Sequence, residues 1–246
     1  MLSNLEHQLT LIQQLKVEAE GQAQRKEAFL SSMSHEIRTP LNAIIGGLDL
    51  LKQDSTLTKT TQQDLEDIRT ASQLLMSVVN DILDFSKLEF HDPPPTMTTI
   101  HLKTFTTTLC ALVRSLFHNT NIQFQIWVAP NVPMSFQSDE RWLQQILINI
   151  VNNAIKHSQT TLIRLRWGYH APHQQLRLSV IDFGQGMSKE AQDQIFNPYV
   201  QAKAKQLTGT GLGLTICQKL TTRLGGRIRL NSRLGQGSRF LVTLPL

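Results

Sequence analysis

Positions 2, 5, 9, 12, 16, 19, 23, 26, 30 and 33 hold Leu, Leu, Leu, Ile, Lys, Ala, Ala, Lys, Leu and Met, an alternating spacing of three and four residues. That spacing is a coiled-coil seam, softened at Lys16 and Lys26. It runs without a helix breaker into a stripe of Leu30, Met33, Ile37, Leu41, Ile44, Leu48 and Leu51. After a break around residues 52 to 60, KQDSTLTKT, a further helix shows Leu65, Ile68, Ala71, Leu75, Val78, Ile82 and Phe85 at the same spacings. Two long helices joined by a short loop make an antiparallel hairpin, and a hairpin this thin cannot bury both stripes by itself. Pairing with a second copy into a four-helix bundle satisfies both, so the sequence predicts a dimer.

Within the first of these helices, in FLSSMSHEIRTPLNAIIGGLDLL (residues 29 to 51), His35 lies two residues from both Met33 and Ile37. Two residues are about 200° of helix, so the imidazole points away from the apolar stripe. Arg38 and Thr39 share its face and Glu36 sits about a quarter turn away. Pro40 cannot donate to the Glu36 carbonyl and crowds it, which predicts a bend just beyond the charged cluster. From these residues alone the cluster is either a reactive site or a solvated helix face that happens to carry a histidine.

The bulk numbers exclude several classes. A chain of 246 residues suits two domains, and 40% hydrophobic with 17% charged residues describes a globular protein with a buried core. The net charge is +5, but the 24 Lys and Arg include no run of five and no interleaved aromatics, so nucleic acid is not an expected partner. Mild attraction to an anionic ligand remains. The two cysteines, Cys110 and Cys217, sit far apart in apolar helical contexts and read as buried thiols in a reducing compartment. No apolar run approaches the roughly 18 residues of a membrane span, and MLSNLEHQLT lacks a signal-peptide core. As it stands the chain reads as cytoplasmic, with no membrane contact of its own, whether or not a longer protein is membrane-anchored.

HDPPP, residues 91 to 95, is a stiff linker and the clearest boundary. Beyond it the pattern becomes mixed. Helices are predicted over roughly 102 to 118, 139 to 157 and 212 to 224, and strands at QFQIWV, TLIRLRW, LRLSVID, GRIRLNS and SRFLVTL, with a poorly patterned stretch from 187 to 208. Strands in runs with helices on one side predict an α/β sandwich, mostly antiparallel.

Two glycine clusters stand in this second half. VIDFGQGM (180 to 187) ends a β-rich run at Asp182 and continues through Gly184 and Gly186; LTGTGLGLTIC (207 to 217) sets Gly209, Gly211 and Gly213 before an apolar helix. Glycines leading into a helix let backbone N–H groups approach phosphate oxygens, although either cluster alone could be a turn. There is no GxxxxGK[ST], and the second cluster is GxGxG rather than GxGxxG, which argues against P-loop enzymes and dinucleotide dehydrogenases. In DERWLQQILINIVNNAIKHS, Asn149, Asn153 and Lys156 line up on one helix face. Asparagine is a poor residue for a helix interior, so the pair reads either as a solvated face or as amide oxygens for Mg²⁺ with a lysine for phosphate.

Together and in this order, SHEIRTPLN, the Asn149/Asn153/Lys156 helix, DFGQG and GTGLGL resemble the H, N, G1 and G2 boxes of bacterial-type sensor histidine kinases. IFNPYVQ (195 to 201) resembles their F box, and FLSSMSHEIRTPLN is most similar to hybrid kinases. The resemblance implies a coiled-coil signalling helix (1 to 24), a dimerisation and histidine-phosphotransfer hairpin (25 to 92), a linker (93 to 97) and an α/β sandwich ATP-binding domain of the GHKL or Bergerat type (98 to 246). It further implies a homodimeric protein-histidine kinase that uses ATP and Mg²⁺, autophosphorylates, and passes the phosphoryl group to the aspartate of a response-regulator receiver domain, with phosphatase activity as a possible second function. A kinase-like regulatory module acting by heterodimerisation is the alternative.

Carried over residue by residue, His35 is the phosphoacceptor, Glu36 its base, and Thr39 the residue that positions water for dephosphorylation. Asn153 ligates Mg²⁺ with Asn149 nearby, Lys156 contacts phosphate, and His157 stands where an aromatic residue often meets adenine. Asp182 accepts the adenine amino group beside Gly184 and Gly186. Gly209, Thr210, Gly211, Leu212 and Gly213 wrap the phosphates beneath a lid, roughly 187 to 208, that contains Lys203 and Lys205. Trp142, Asn197 and Tyr199 depart from the common residues of the family at their positions.

Overall fold

The computed structural model describes residues 13, 21, 32–52, 57–90, 94–116, 122–157, 162–200 and 210–246. The coiled-coil seam, apart from Met33, lies outside the described residues, as do residues 53–56 of the hairpin loop, 201–208 of the expected lid, and Gly209. The chain divides into two units, Met1–Asp92 and Pro93–Leu246.

In the first unit, helix α1 covers residues 32–51 without interruption at Pro40, and α2 spans Lys59–Phe90. Three polar pairs cross between them: Arg38 Nη2 donates to Asn80 Oδ1 at 2.9 Å, Arg69 Nε meets Asp49 Oδ1 at 3.2 Å, and Lys52 pairs with Glu66. As residue numbers rise along α1 they fall by the same steps along α2, so all three pairs fix a single antiparallel register. Within that register Leu41 and Leu48 on α1, and Val79, Leu83 and Leu88 on α2, are buried. On α1 the predicted stripe is divided, Leu41 and Leu48 closing the hairpin, whereas on α2 the buried Val79, Leu83 and Leu88 lie outside the predicted stripe. Met33, Ile44 and Leu51 remain exposed on α1, and Ile68, Leu75 and Ile82, at intervals of seven, remain 50%, 48% and 38% exposed on α2. This is the surplus apolar face that the sequence assigned to a second copy.

The second unit opens with β1 (Thr98–His101), which leads into α3 (Leu102–Leu116) and pairs antiparallel with β3 (Ser135–Ser138). A five-stranded sheet follows in the order β2-β4-β5-β7-β6, with β2 (Gln123–Val128), β4 (Leu162–His170), β5 (Gln175–Asp182), β6 (Arg227–Arg233) and β7 (Gly237–Pro245). Every pair is antiparallel except β2 with β4, which the β3–α4 crossover makes parallel. Helices α4 (Glu140–His157) and α6 (Gly213–Arg223) pack on each other and on the sheet. The interior is centred on Trp167, fully buried, with Phe105 edge-on at 5.7 Å and Phe136 tilted at 6.3 Å.

The sequence reading missed β1, β3 and α5 (Lys189–Gln194), for a common reason: four-residue strands and a six-residue helix of KEAQDQ are too short or too polar to show a period. It also treated both cysteines as buried. Cys217 is, with Sγ 3.5 Å from the Ile146 carbonyl, whereas Cys110 is only half-buried; both are free thiols.

Candidate functional site: an exposed histidine and a nucleotide cradle

His35, Glu36 and Thr39 are all exposed on α1. The Thr39 hydroxyl donates to the His35 carbonyl at 3.0 Å, the back-bond that a mid-helix threonine makes, and Ser32 Oγ donates to Glu36 Oε1 at 3.2 Å. One side of this cluster is fixed by Arg38, whose guanidinium is tied across the hairpin to Asn80. The imidazole itself stands clear of the apolar packing.

In the second unit the cradle is built where α4, the loop after β5 and the start of α6 converge. Asp139 caps α4: its Oδ1 accepts from Trp142 N at 3.0 Å, while Oδ2 accepts from Thr96 N at 2.8 Å and so ties the segment after the prolines to the helix start. On α4, Leu143, Ile146, Leu147, Ile150, Val151 and Ala154 form the buried face, which turns the next face, with Asn149 and Asn153, toward α6 and the loop. Asn149 Nδ2 lies 3.4 Å from the Gly213 carbonyl. With the amide nitrogen engaged there, the amide oxygen is left for another partner. Asn153 follows one turn later, half-buried, and Lys156 is exposed in the last turn.

Asp182 ends β5 and is only 4% exposed. Its Oδ1 accepts two backbone N–H groups, Gly184 at 2.9 Å and Ser238 at 3.2 Å. Burial pushes the carboxyl above the ordinary aspartate range, against the pull of those two N–H groups and of nearby His157. His157 moves the opposite way to an ordinary histidine near a carboxylate: burial, then the neighbouring Lys156, lower its pKa more than Asp182 raises it. The imidazole is therefore neutral at neutral pH. Gly184 is required because the His157 carbonyl passes where a Cβ would stand, so the end of α4 rests directly on the loop that follows Asp182.

The second glycine cluster is described from Thr210 onward. Gly211 has φ of +72° and packs against the backbone of Tyr199 and Val200, a position that excludes a side chain both by conformation and by space. Leu212, fully buried, is the N-cap of α6; its N–H donates to Thr210 Oγ1 at 3.2 Å, and no side chain caps the helix. Among the described residues no side chain therefore occupies the first amides of α6, an arrangement suited to an anion. Thr215 Oγ1 donates to the Phe196 carbonyl at 2.9 Å and anchors the IFNPYV segment to the same helix.

Sequence reasoning missed the floor of this site. Ser232 Oγ accepts from Met187 N at 2.9 Å, donates to the Gly237 carbonyl at 2.9 Å and lies 3.0 Å from Ser238 Oγ. Gln192 Nε2 holds the Met187 and Ser232 carbonyls at 3.1 and 3.0 Å, and Gly235 N donates to Gln185 O at 2.7 Å. The turn between β6 and β7 is therefore the support beneath Gly184 and Gly186. Its GQGS sequence, residues 235 to 238, was the available signal, a glycine pair at the start of a strand.

Residues 25–90 match the His Kinase A (phospho-acceptor) domain, and residues 138–246 match the histidine kinase-, DNA gyrase B- and HSP90-like ATPase family. The chain therefore carries a phospho-acceptor hairpin followed by an ATP-binding domain, a sensor histidine kinase catalytic core. Among its relatives, Sensor histidine kinase AruS of Pseudomonas aeruginosa is 34% identical over 248 residues, 98% of this chain and 25% of AruS. Autoinducer 2 sensor kinase/phosphatase LuxQ of Vibrio parahaemolyticus is 35% identical over 236 residues, 93% of this chain and 27% of LuxQ. The crystal structure of full-length ShkA in complex with AMPPNP superposes with a TM-score of 0.71 at 30% identity, covering 88% of this chain and 45% of ShkA. The chain spans about a quarter of the length of these curated relatives. Among the described residues no helix is long and apolar enough to cross a membrane.

Proposed function

We propose that this chain autophosphorylates His35 from ATP and passes the phosphoryl group to the aspartate of a response-regulator receiver domain. The observation that carries the reading is the pairing of an exposed histidine beside a carboxylate, in a phospho-acceptor hairpin, with a buried aspartate at the floor of an ATP-binding cradle. Asp182 takes the adenine amino group, His157 lies along the base, and Gly209, Thr210, Gly211, Leu212 and Gly213 lead backbone amides to the phosphates, with Gly184 and Gly186 closing the adenine end.

A divalent cation fits the donor set. Half-buried amide oxygens of Asn153 and Asn149, neutral and hard, suit Mg²⁺, which completes its shell with water and phosphate oxygens. Mg²⁺ supplies charge neutralisation on the phosphates when bound; Asn153 would hold it and Lys156 adds a second positive charge. In the transfer a ring nitrogen of His35 attacks the γ-phosphorus, the bond from that phosphorus to the β–γ bridging oxygen breaks, and ADP leaves. Glu36 takes the proton lost by the imidazole. The Thr39 hydroxyl, held on the His35 carbonyl, orients water when the phosphoryl group of the receiver is removed; LuxQ, described as a kinase/phosphatase, is a relative for which both directions are named.

The same reading makes the chain a homodimer through the Met33/Ile44/Leu51 and Ile68/Leu75/Ile82 stripes, with domains at 1 to 24, 25 to 92 and 98 to 246 and a linker at 93 to 97. It places this core in the cytoplasm, where ATP is. Incubation with γ-labelled ATP and Mg²⁺ should yield an acid-labile, base-stable phosphoprotein that His35→Gln abolishes. ATP binding without such labelling would instead favour a regulatory, non-catalytic module.

A further inference from the structure

The basic residues are spread almost evenly along the sequence, but the acidic ones are not, so the two units differ in net charge. Pro93–Leu246 holds sixteen Lys and Arg against five Asp and Glu, a formal +11, whereas Met1–Asp92 holds eight against fourteen, a formal −6. Much of the excess lies on one surface. The helices of the second unit cover one face of its sheet, and the strand positions that alternate away from them carry Arg164, Arg166, Arg177, Arg227, Arg229 and Arg239 in the body of the sheet, with Arg233 on the same side at the β6–β7 turn, all exposed, with no carboxylate among them.

The register keeps these side chains apart. Arg164 lies opposite Gln125 and Ile181, Arg166 opposite Trp127 and Ser179, and Arg177 opposite Gly168 and Thr243. Arg239 lies opposite Ile181 and Asn231, Arg229 opposite Leu241, and Arg227 opposite Thr243. Each guanidinium thus has neutral cross-strand neighbours, which is how one layer tolerates six like charges. Among the described residues none of the six joins an ion pair. Their contacts are neutral: Arg164 Nε to Gln125 Oε1 at 3.3 Å, Arg239 Nη2 to Ser179 Oγ at 3.5 Å, and the Arg164 and Arg166 guanidiniums 5.3 and 4.7 Å from the ring centroids of Phe183 and Trp127. None of these contacts is to a carboxylate, so the excess charge is not neutralised within the described residues.

We propose that this face docks an acidic surface of a partner protein, with guanidinium–carboxylate pairs set around apolar contacts at Trp127, Ile181 and Leu241. Three observations favour a protein over another polyanion. All six cations are arginine, whose planar fork takes a carboxylate through two parallel bonds and which protein interfaces enrich over lysine. The rings of Trp127 and Phe183 already carry guanidiniums, so neither offers a free platform for a nucleobase. Apolar side chains lie in the middle of the array, where a phosphate backbone would leave them uncovered. Five strands about 4.8 Å apart and seven residues at about 3.4 Å give roughly 24 by 24 Å, below the about 800 Å² per partner of a standard stable interface, so the docking is transient and salt-sensitive.

The test uses the full chain and three probes compared at equal ionic strength. They are an amphipathic peptide with glutamates on one face and leucines on the other, single-stranded DNA of equal charge, and phosphatidylcholine vesicles containing phosphatidylserine. The peptide should bind more tightly than the DNA or the vesicles. Arg177→Glu combined with Arg229→Glu should weaken peptide binding roughly a hundredfold, about tenfold for each reversed pair. Lys103→Glu combined with Arg114→Glu, the same charge change on α3, should leave it within about twofold, the spread expected of a screened, distant charge. ATP affinity should stay at the wild-type value in both variants. Tighter binding to DNA or vesicles, no binding of the peptide, or equal losses in the two variants would each overturn the proposal.

Discussion

Asp182→Asn removes a charge from the floor of the cradle and keeps its shape. In the native protein Oδ1 accepts from Gly184 N and Ser238 N, and an amide oxygen in the same place can accept from both. On the proposed function, what the variant loses is the charged acceptor for the adenine amino group, because the amide presents N–H to N–H or must flip and abandon the two backbone donors. A hydrogen bond to a charged group contributes about 1.5 to 3 kcal/mol, so ATP affinity should fall roughly 10- to 150-fold. Stability should move the other way. Burial raises the Asp182 pKa in the folded state, so as pH climbs from the ordinary aspartate value to the raised one the unfolded chain releases its proton first. The native state then holds more protons, and stability falls with rising pH across that window and stays lowered above it. Asparagine does not titrate. The variant should therefore melt at or above the wild-type temperature at neutral pH, with that difference shrinking below the ordinary aspartate range. Titration calorimetry with Mg-ATP and thermal melts across pH measure both quantities. Unchanged ATP affinity would remove Asp182 from the site, and a lower melting temperature at neutral pH would show that the carboxylate is structural.

Three further outcomes are expected. Glu36→Gln should slow autophosphorylation by about 10²- to 10⁴-fold with ATP affinity unchanged, whereas Thr39→Ala should leave autophosphorylation in place and reduce dephosphorylation of a receiver; a wild-type labelling rate in Glu36→Gln would make the carboxylate a solvated helix charge. Leu75→Glu, at the middle of the exposed Ile68/Leu75/Ile82 row, should convert a dimer to a monomer in light scattering, since burial of each such side chain contributes about 1.5 to 3 kcal/mol to association; a dimer of undiminished affinity would move the interface elsewhere. Asp139→Ala should lower the stability of the second unit by about 1 to 2 kcal/mol through loss of the α4 cap, and denaturant unfolding reads it; no loss would mean that the bonds to Trp142 N and Thr96 N are not holding the helix start.

What the sequence disclosed follows the length of its periodic signals. α2, α4 and the strands β4 to β7 carry stripes or alternations long enough to read, and their ranges agree with the structure to within a few residues, apart from the first turns of α2. The hairpin shows the limit of such a signal. Spacing of three and four identified the apolar faces of α1 and α2 without saying which neighbour each residue would meet, and the contacts that close one chain run through part of the α1 stripe, Leu41 and Leu48, and through Val79 and Leu83, which the α2 stripe did not include. Two apolar faces on a thin helix are distinguishable only when the partners are known.

The nucleotide cradle divides in the same way between local and non-local information. Gly211 and Asp182 announce themselves because a positive φ and a buried carboxylate each need a particular residue at one position. The Ser232 and Ser238 hydroxyls do not, since a serine in a strand is ordinary until β6 and β7 bring the pair to 3.0 Å and set the Ser238 N–H on Asp182. The arginine face is subtler still. Each of its residues reads as the solvated half of a strand alternation, and only the cross-strand register shows that six such halves form one surface without a carboxylate. A net charge of +5 conceals it, because the acidic hairpin unit cancels about half of the +11 carried by the ATP-binding unit. Charge arguments made on a whole chain therefore fail where two units carry opposite signs, and the quantity that predicts partners is the charge of each face once the register has assembled it.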